Sequence, residues 1–349
     1  MLDLATANPM PGMTITTAAD IPVKRDALKT AVFGPAGISG YSGMFDGNAH
    51  GGAPSGLYLK PIASTYWLSF NMGKTNANED IISRTHTTTF AGSTKLLIIN
   101  GGHGQAFFPA AVAAETRPGM AAISQETQWM AEALSGGCDV ILSSMPFNGE
   151  NAFTTSYCPS MPFAQSNTSV HEWLGLQTTN IASGSPLKYF LIPPLSALNT
   201  AIESRANAGL PPYEKISVMG YSGGGWATTA MAAIDPRITQ AFSVAGSLPM
   251  EYRGWHRPDG GDWEQRSMPA SYYDLYAMSI GEVGRKAWLI HNEFDPCCFR
   301  TASVLPWAKP FLDRVAVLPG EISIVSETGA AAHTINHATR LLIMDAVNN

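Results

Sequence analysis

Five residues, Gly220-Tyr221-Ser222-Gly223-Gly224, carry the spacing Gly-x-Ser-x-Gly. An apolar run, Lys215-Ile216-Ser217-Val218-Met219, precedes them, and a helix-forming run from Trp226 to Ala233 follows. A serine between a strand and a helix sits on a tight, strained turn. Small neighbours are needed there because larger side chains would collide with adjacent backbone. The helix start also brings N–H groups and a favourable dipole to the hydroxyl, where negative charge would develop. The chemistry this predicts is nucleophilic attack by Ser222 on a carbonyl. Two look-alikes, centred on Ser39 and Ser42, have Tyr41 and Met44 at the fifth place and no long apolar strand before them.

A serine hydroxyl needs a general base within hydrogen-bond reach, and the base needs an orienting carboxylate. With a strand–serine–helix elbow the partners follow in the order serine, acid, histidine. Downstream of Ser222 stand His256, His291, His333 and His337. His256 lies in an aromatic stretch, and His291 ends a buried strand. His333 follows the loop Thr328-Gly329-Ala330-Ala331-Ala332, between the last strand and the closing helix, and is the expected base. His337, one turn further, is the alternative. The segment His291-Asn292-Glu293-Phe294-Asp295 ends the preceding strand and supplies Asp295 as the expected acid, with Glu293 as runner-up.

Acyl transfer also demands N–H donors for an oxyanion. The amide of Gly223 is one. The second comes from the loop Gly101-Gly102-His103-Gly104, from the amide of Gly102 or of His103. A lone histidine among glycines makes no metal site, and no metal is expected. Tyr221 and Trp226 are the substrate-binding candidates. Trp226, with Trp173, Trp255 and Trp263, offers faces for a sugar or an aromatic acyl group, although packing explains any single tryptophan equally well.

The elements that must position these residues are apolar runs alternating with helical ones. Short strands are expected at Thr65–Phe70 and His86–Phe90, forming an antiparallel opening section. Buried parallel strands follow at 95–99, 139–142, 215–219, 241–245, 287–290 and 321–325. Helices are expected around 125–134, from about 224, and from about 334 to 347. The pattern predicts an α/β fold with a mostly parallel central sheet flanked by helices. Residues 1–54 read as an N-terminal extension with opening strands, and 55–349 as a catalytic domain. Loop or lid insertions are expected near 149–185 and 248–275, after strand ends where such folds place ligands.

Of the 349 residues, 45% are hydrophobic and only 14% charged, which allows a large core. A net charge of −6 argues against nucleic acid as a partner. No apolar run reaches the roughly 18 residues of a membrane span. The start, Met1-Leu2-Asp3-Leu4-Ala5, shows no signal-peptide pattern. The low charge and abundant Gly, Ala, Thr and Asn nonetheless favour a secreted or periplasmic place over a cytoplasmic one. Cys297 and Cys298 begin two residues after Asp295 and are expected to hold its loop, as a vicinal bridge or paired with Cys138 or Cys158.

Taken together, strand, Gly-Tyr-Ser-Gly-Gly, helix, Asp295 and His333 resemble the α/β-hydrolase superfamily over roughly residues 55–349. The resemblance implies a mostly parallel sheet, typically of about eight strands, a serine–aspartate–histidine triad and no cofactor. His291 to Asp295 is similar to the family's frequent His-Gly-x-x-Asp, with Asn292 replacing glycine. The stretch Asn100-Gly101-Gly102-His103-Gly104 departs from the common His-Gly-first oxyanion loop. The expected activity is hydrolysis of a small-molecule or polymeric carboxylic ester, such as an acylated polysaccharide or polyester, through an acyl-enzyme. A serine peptidase or amidase, needing an acidic anchor such as Glu264, is the alternative. A binding protein on the same scaffold is a third. The oligomeric state is left open.

Overall fold

Runs such as Leu96-Leu97-Ile98-Ile99 and Val140-Ile141-Leu142 have no polar alternation, so they suit strands covered on both faces. In the computed structural model they form the middle of one sheet and are fully buried. The structure describes residues 10–38, 44–45, 62–74, 80–102, 133, 136–146, 184–252, 263–296, 299–300, 304–329 and 331–349.

The described strands are β1 (Met44–Phe45), β2 (Ile62–Lys74), β3 (Asp80–Phe90), β4 (Lys95–Asn100), β5 (Asp139–Ser143), β6 (Lys215–Tyr221), β7 (Gln240–Val244), β8 (Lys286–Asn292) and β9 (Glu321–Glu327). They pair in the order β1-β2-β3-β5-β4-β6-β7-β8-β9. The first three pairings are antiparallel and the rest parallel. This is the mostly parallel, helix-flanked sheet of an α/β-hydrolase-like architecture. The carboxyl ends of β4, β6, β7 and β8 share one edge, where the candidate residues converge.

The helices are α1 (Asp20–Phe33), α2 (Lys188–Asn207), α3 (Gly223–Ile234), α4 (Trp263–Arg266), α5 (Tyr272–Ser279), α6 (Leu305–Val315) and α7 (His337–Asn348). Helix α3 is buried along its whole length, between the sheet and α5. Helix α1 was not expected from the sequence. It packs on α3 and α5, and the segment before it is fastened by Asp274, which accepts bonds from the amides of Thr14 and Ile15 at 2.8 and 2.9 Å. The stretch 10–33 is therefore part of the main body. The helix expected at 125–134 lies almost entirely outside the described residues, as does the insertion expected at 149–185. Of the stretch 248–275, residues 253–262 lie outside them too. Its last part enters α5, whose Tyr272 and Tyr273 belong to the core. No helix among the described residues is long and apolar enough to cross a membrane.

Candidate active site

Strand β6 ends at Tyr221 and helix α3 starts at Gly223, so Ser222 alone makes the turn. Its backbone has φ 56° and ψ −126°, a region that costs a non-glycine residue about 1–3 kcal/mol. Surrounding bonds hold it there. The Ser222 amide donates to Val244 O at 3.0 Å, and Ser222 O accepts from the amides of Gly225 and Trp226. The flanking glycines are required by close approach. A Cβ at Gly220 would stand 2.1 Å from Gly224 O, and one at Gly224 would stand 2.1 Å from Asn100 O. The same contact presses the end of β4 against the start of α3.

His333, between β9 and α7, brings its imidazole to this turn. Its Nε2 lies 3.0 Å from Ser222 Oγ, and its Nδ1 lies 2.7 Å from Asp295 Oδ2. A proton on Nδ1 donated to Asp295 leaves Nε2 as the acceptor for the serine hydroxyl, the tautomer a general base needs. Asp295 is 0% exposed, and its carbonyl accepts from Arg300 Nε at 2.7 Å. The imidazole lies near two rings, Phe299 stacked at 5.9 Å and Tyr221 tilted at 4.8 Å.

The alternatives take other positions. His337 is the first residue of α7, exposed, with its Nδ1 3.3 Å from Arg340 Nη2. His291 is buried in β8, and burial pushes its imidazole down to about 4, so it stays neutral. Glu293 accepts from the amide of Gly329 at 2.8 Å and thus holds the turn after β9, not an imidazole. His256, Ser39 and Ser42 lie outside the described residues.

For an oxyanion, Gly223 is the first residue of α3, and an α-helix leaves its first amides without intrahelical acceptors. Gly102 is buried directly beyond β4. The neighbouring Gly101 amide is taken by Ser143 O at 2.9 Å. His103 lies outside the described residues.

The two substrate-binding candidates face inward. Trp226 is 1% exposed, donates from Nε1 to Gln265 Oε1 at 2.9 Å and meets Phe190 edge-on. A ring with no open face cannot stack on a sugar, so this expectation is corrected. Tyr221 is 7% exposed, and its hydroxyl donates to His333 O. Trp173 and Trp255 lie outside the described residues, as do Cys158, Cys297 and Cys298. Cys138 is buried just before β5, at the opposite edge of the sheet from Asp295.

Sequence reasoning missed the residues that hold the His333 segment. Asn292 Nδ2 donates to Ala332 O at 2.9 Å and to Thr334 O at 2.8 Å. The one signal for it was an asparagine where the resembled family often has glycine.

No family model matches the sequence, and no curated protein matches it. Solved structures do match in fold. Methylesterase BT1017 shares 15% identity with a TM-score of 0.51, over 95% of this chain and 64% of that one. This chain thus spans less than two thirds of that relative's length. Acetyl xylan esterase 1 from Thermoanaerobacterium sp. shares 11% identity with a TM-score of 0.50, over 97% and 95% of the two chains. A Bacteroides fragilis protein described as an acetyl xylan esterase shares 11% with a TM-score of 0.54, over 93% and 80%. The chain has an α/β-hydrolase-like fold, and its structural neighbours include proteins named as esterases.

Proposed function

We propose that this protein is a serine hydrolase that cleaves carboxylic esters through an acyl-enzyme. The observation that carries the reading is the continuous pair of hydrogen bonds from Ser222 Oγ through His333 to Asp295, starting from a strained turn at a helix start. In this reading His333 Nε2 takes the serine proton as Oγ attacks the ester carbon. The carbonyl oxygen becomes an oxyanion, received by the amide of Gly223 and by that of Gly102 or His103. Asp295 keeps the imidazole in its productive tautomer and favours the imidazolium. His333 then passes the proton to the departing alkoxide, which leaves as an alcohol. Water, deprotonated by the same nitrogen, attacks the acyl-serine, and collapse returns the proton to Ser222 and frees the acid.

The substrate class proposed is an acylated carbohydrate or another polymeric ester. Its support is the name of one structural neighbour on the same fold, an acetyl xylan esterase; the name methylesterase of another supports ester cleavage alone. Glu264, the acid a peptidase would need to anchor a peptide amine, is buried on α4, and nothing among the described residues favours that reading. The test is a fluorophosphonate probe combined with a panel of p-nitrophenyl acetate, acetylated xylan, methyl esters, an aromatic polyester and aminoacyl amides. The wild type is expected to be labelled once, at Ser222, and to turn over esters, whereas Ser222→Ala does neither. Undiminished labelling of the variant, or turnover of the amides alone, refutes the proposal.

A further inference from the structure

We infer that Asn292 and Tyr221 are positioning residues that set the reach of His333 to both of its partners. The inference rests on the hydrolase reading above and adds to it the device that holds the base.

Three consecutive carbonyls around the imidazole are gripped by side chains. Asn292 takes those of Ala332 and Thr334, and the Tyr221 hydroxyl takes that of His333 itself. The segment needs such help. It belongs to no helix or strand, and Ala331 and Ala332 are exposed and too small to anchor it by packing. The first buried apolar side chain after the histidine is Ile335. Polar bonds therefore do here what apolar contacts do elsewhere in the fold.

The sources of those bonds matter as much as their number. Tyr221 directly precedes Ser222, and Asn292 stands three residues before Asp295 at the end of β8. The two segments that meet the imidazole at Nε2 and Nδ1 are thus the same two that grip its backbone. Any drift of the segment relative to the nucleophile or the acid strains the grip before it lengthens a reacting distance. Asn292 is 0% exposed, and its Oδ1 has no hydrogen-bond partner among the described residues. Its hydrogen bonding is spent on the carbonyls beside His333. A glycine there would supply neither donor. With both side chains buried, neither residue is offered to a substrate, so their effect passes through His333.

The experiment measures kcat and KM for an activated p-nitrophenyl ester in Asn292→Ala and Tyr221→Phe, each alone and combined with His333→Ala. Thermal unfolding checks that each variant is folded. Tyr221→Phe keeps the ring and loses only the hydroxyl, so it serves if Asn292→Ala does not fold. Misplacement of a reacting group by about 1 Å costs on the order of 10²-fold in rate. We expect kcat to fall about 10- to 100-fold in Asn292→Ala and several-fold in Tyr221→Phe, with KM within about 2-fold. In the His333→Ala background neither substitution should lower the residual rate further, which a merely structural role would not predict. Full kcat in the folded variants, or equal losses in the His333→Ala background, overturns the clamp. If His333→Ala is itself inactive while both clamp variants are fully active, the clamp fails and the hydrolase reading stands. Full activity in His333→Ala overturns both.

Discussion

Two buried carboxylates stand at opposite edges of the same sheet. Asp139 opens β5 at the amino edge, and Asp295 follows β8 at the carboxyl edge. Asp139 Oδ1 accepts from the amide of Phe90 at 2.8 Å, and Oδ2 accepts from the Tyr213 hydroxyl at 2.6 Å. Arg205 stands 3.9 Å from it and lies over the Tyr213 ring. Burial pushes both the Asp139 carboxyl and the Tyr213 phenol above their ordinary values. Arg205 Nε also donates to Pro211 O, so the cluster ties β3, β5 and the approach to β6 together. Asp295 instead meets an imidazole whose far nitrogen faces a hydroxyl on a strained turn. Burial of a carboxylate is common to both places. What separates them is whether the partner can pass a proton onward.

On the proposed mechanism the contrast is broken most severely at Ser222 and His333. Ser222→Ala and His333→Ala should each lower ester turnover by about 10⁴- to 10⁶-fold, and the double variant should be scarcely worse, because the members act as one unit. Steady-state kinetics of the three proteins checks this. Additive losses would show that the two residues work separately.

Next come the two carboxylates themselves. Asp295→Asn should cut kcat by about 10⁴-fold through the wrong imidazole tautomer, with little change in fold. Asp139→Asn should leave kcat within about 2-fold but cost about 1–3 kcal/mol of stability, since its amide turns a donor toward a donor. Paired denaturation and kinetic measurements separate them. A large kcat loss in Asp139→Asn would mean that the amino edge communicates with the site.

A histidine version of the contrast is His86, buried in β3 with its Nε2 2.7 Å from Thr65 Oγ1. Burial pushes it from 6.5 down to about 4. The folded value is the lower one, so acidification protonates the unfolded chain first. Its contribution to stability is whole above pH 6.5 and is lost as pH falls toward about 4. Relative to His86→Gln, the wild type should lose up to about 3 kcal/mol across that window. Chemical denaturation at several pH values reads the difference directly, and parallel stability curves would show that the folded imidazole titrates as it does in the unfolded chain. Smallest of all is His337→Ala, expected to change kcat less than about 2-fold, because that ring is exposed one turn beyond the base. A large loss there would move the base along α7.

Much of this arrangement was legible in the sequence. Apolar-rich runs located β4 to β9, although β9, expected to be buried, alternates exposed and half-buried residues as the last strand of the sheet order. Closely spaced glycines around Ser222 announced a turn that larger residues would block. Helix α1 was not legible, because its stripe Ile21, Leu28 and Val32 is interrupted by Arg25. That guanidinium is buried only because Ala233 O, Met278 O and Glu282, more than 200 residues away, accept from it. Helix α2 was hidden by Pro193 and Pro194, which read locally as a break yet lie inside it. Trp226 was misread for a related reason. A tryptophan after the nucleophile looks the same in sequence whether Gln265 and Phe190 cover it or a substrate does. The role of Asn292 depends on the spacing of two carbonyls 40 and 42 residues downstream, a property of the folded loop alone.

The lengths of chain separating these partners also bear on biosynthesis. Ser222 lies 111 residues before His333, and Asp295 lies 38 before it. A ribosome making the chain produces the hydroxyl first, then the carboxylate, and the imidazole last. At about 5–20 residues per second, roughly 2 to 8 s pass between the last two. During that interval, on the proposed mechanism, the nascent protein has a serine at its elbow but lacks the base that would deprotonate it. On the proposed mechanism, ester-cleaving activity appears only after the segment bearing His333 has emerged and docked, which makes the onset of turnover in a synchronised translation reaction a clock for that docking step.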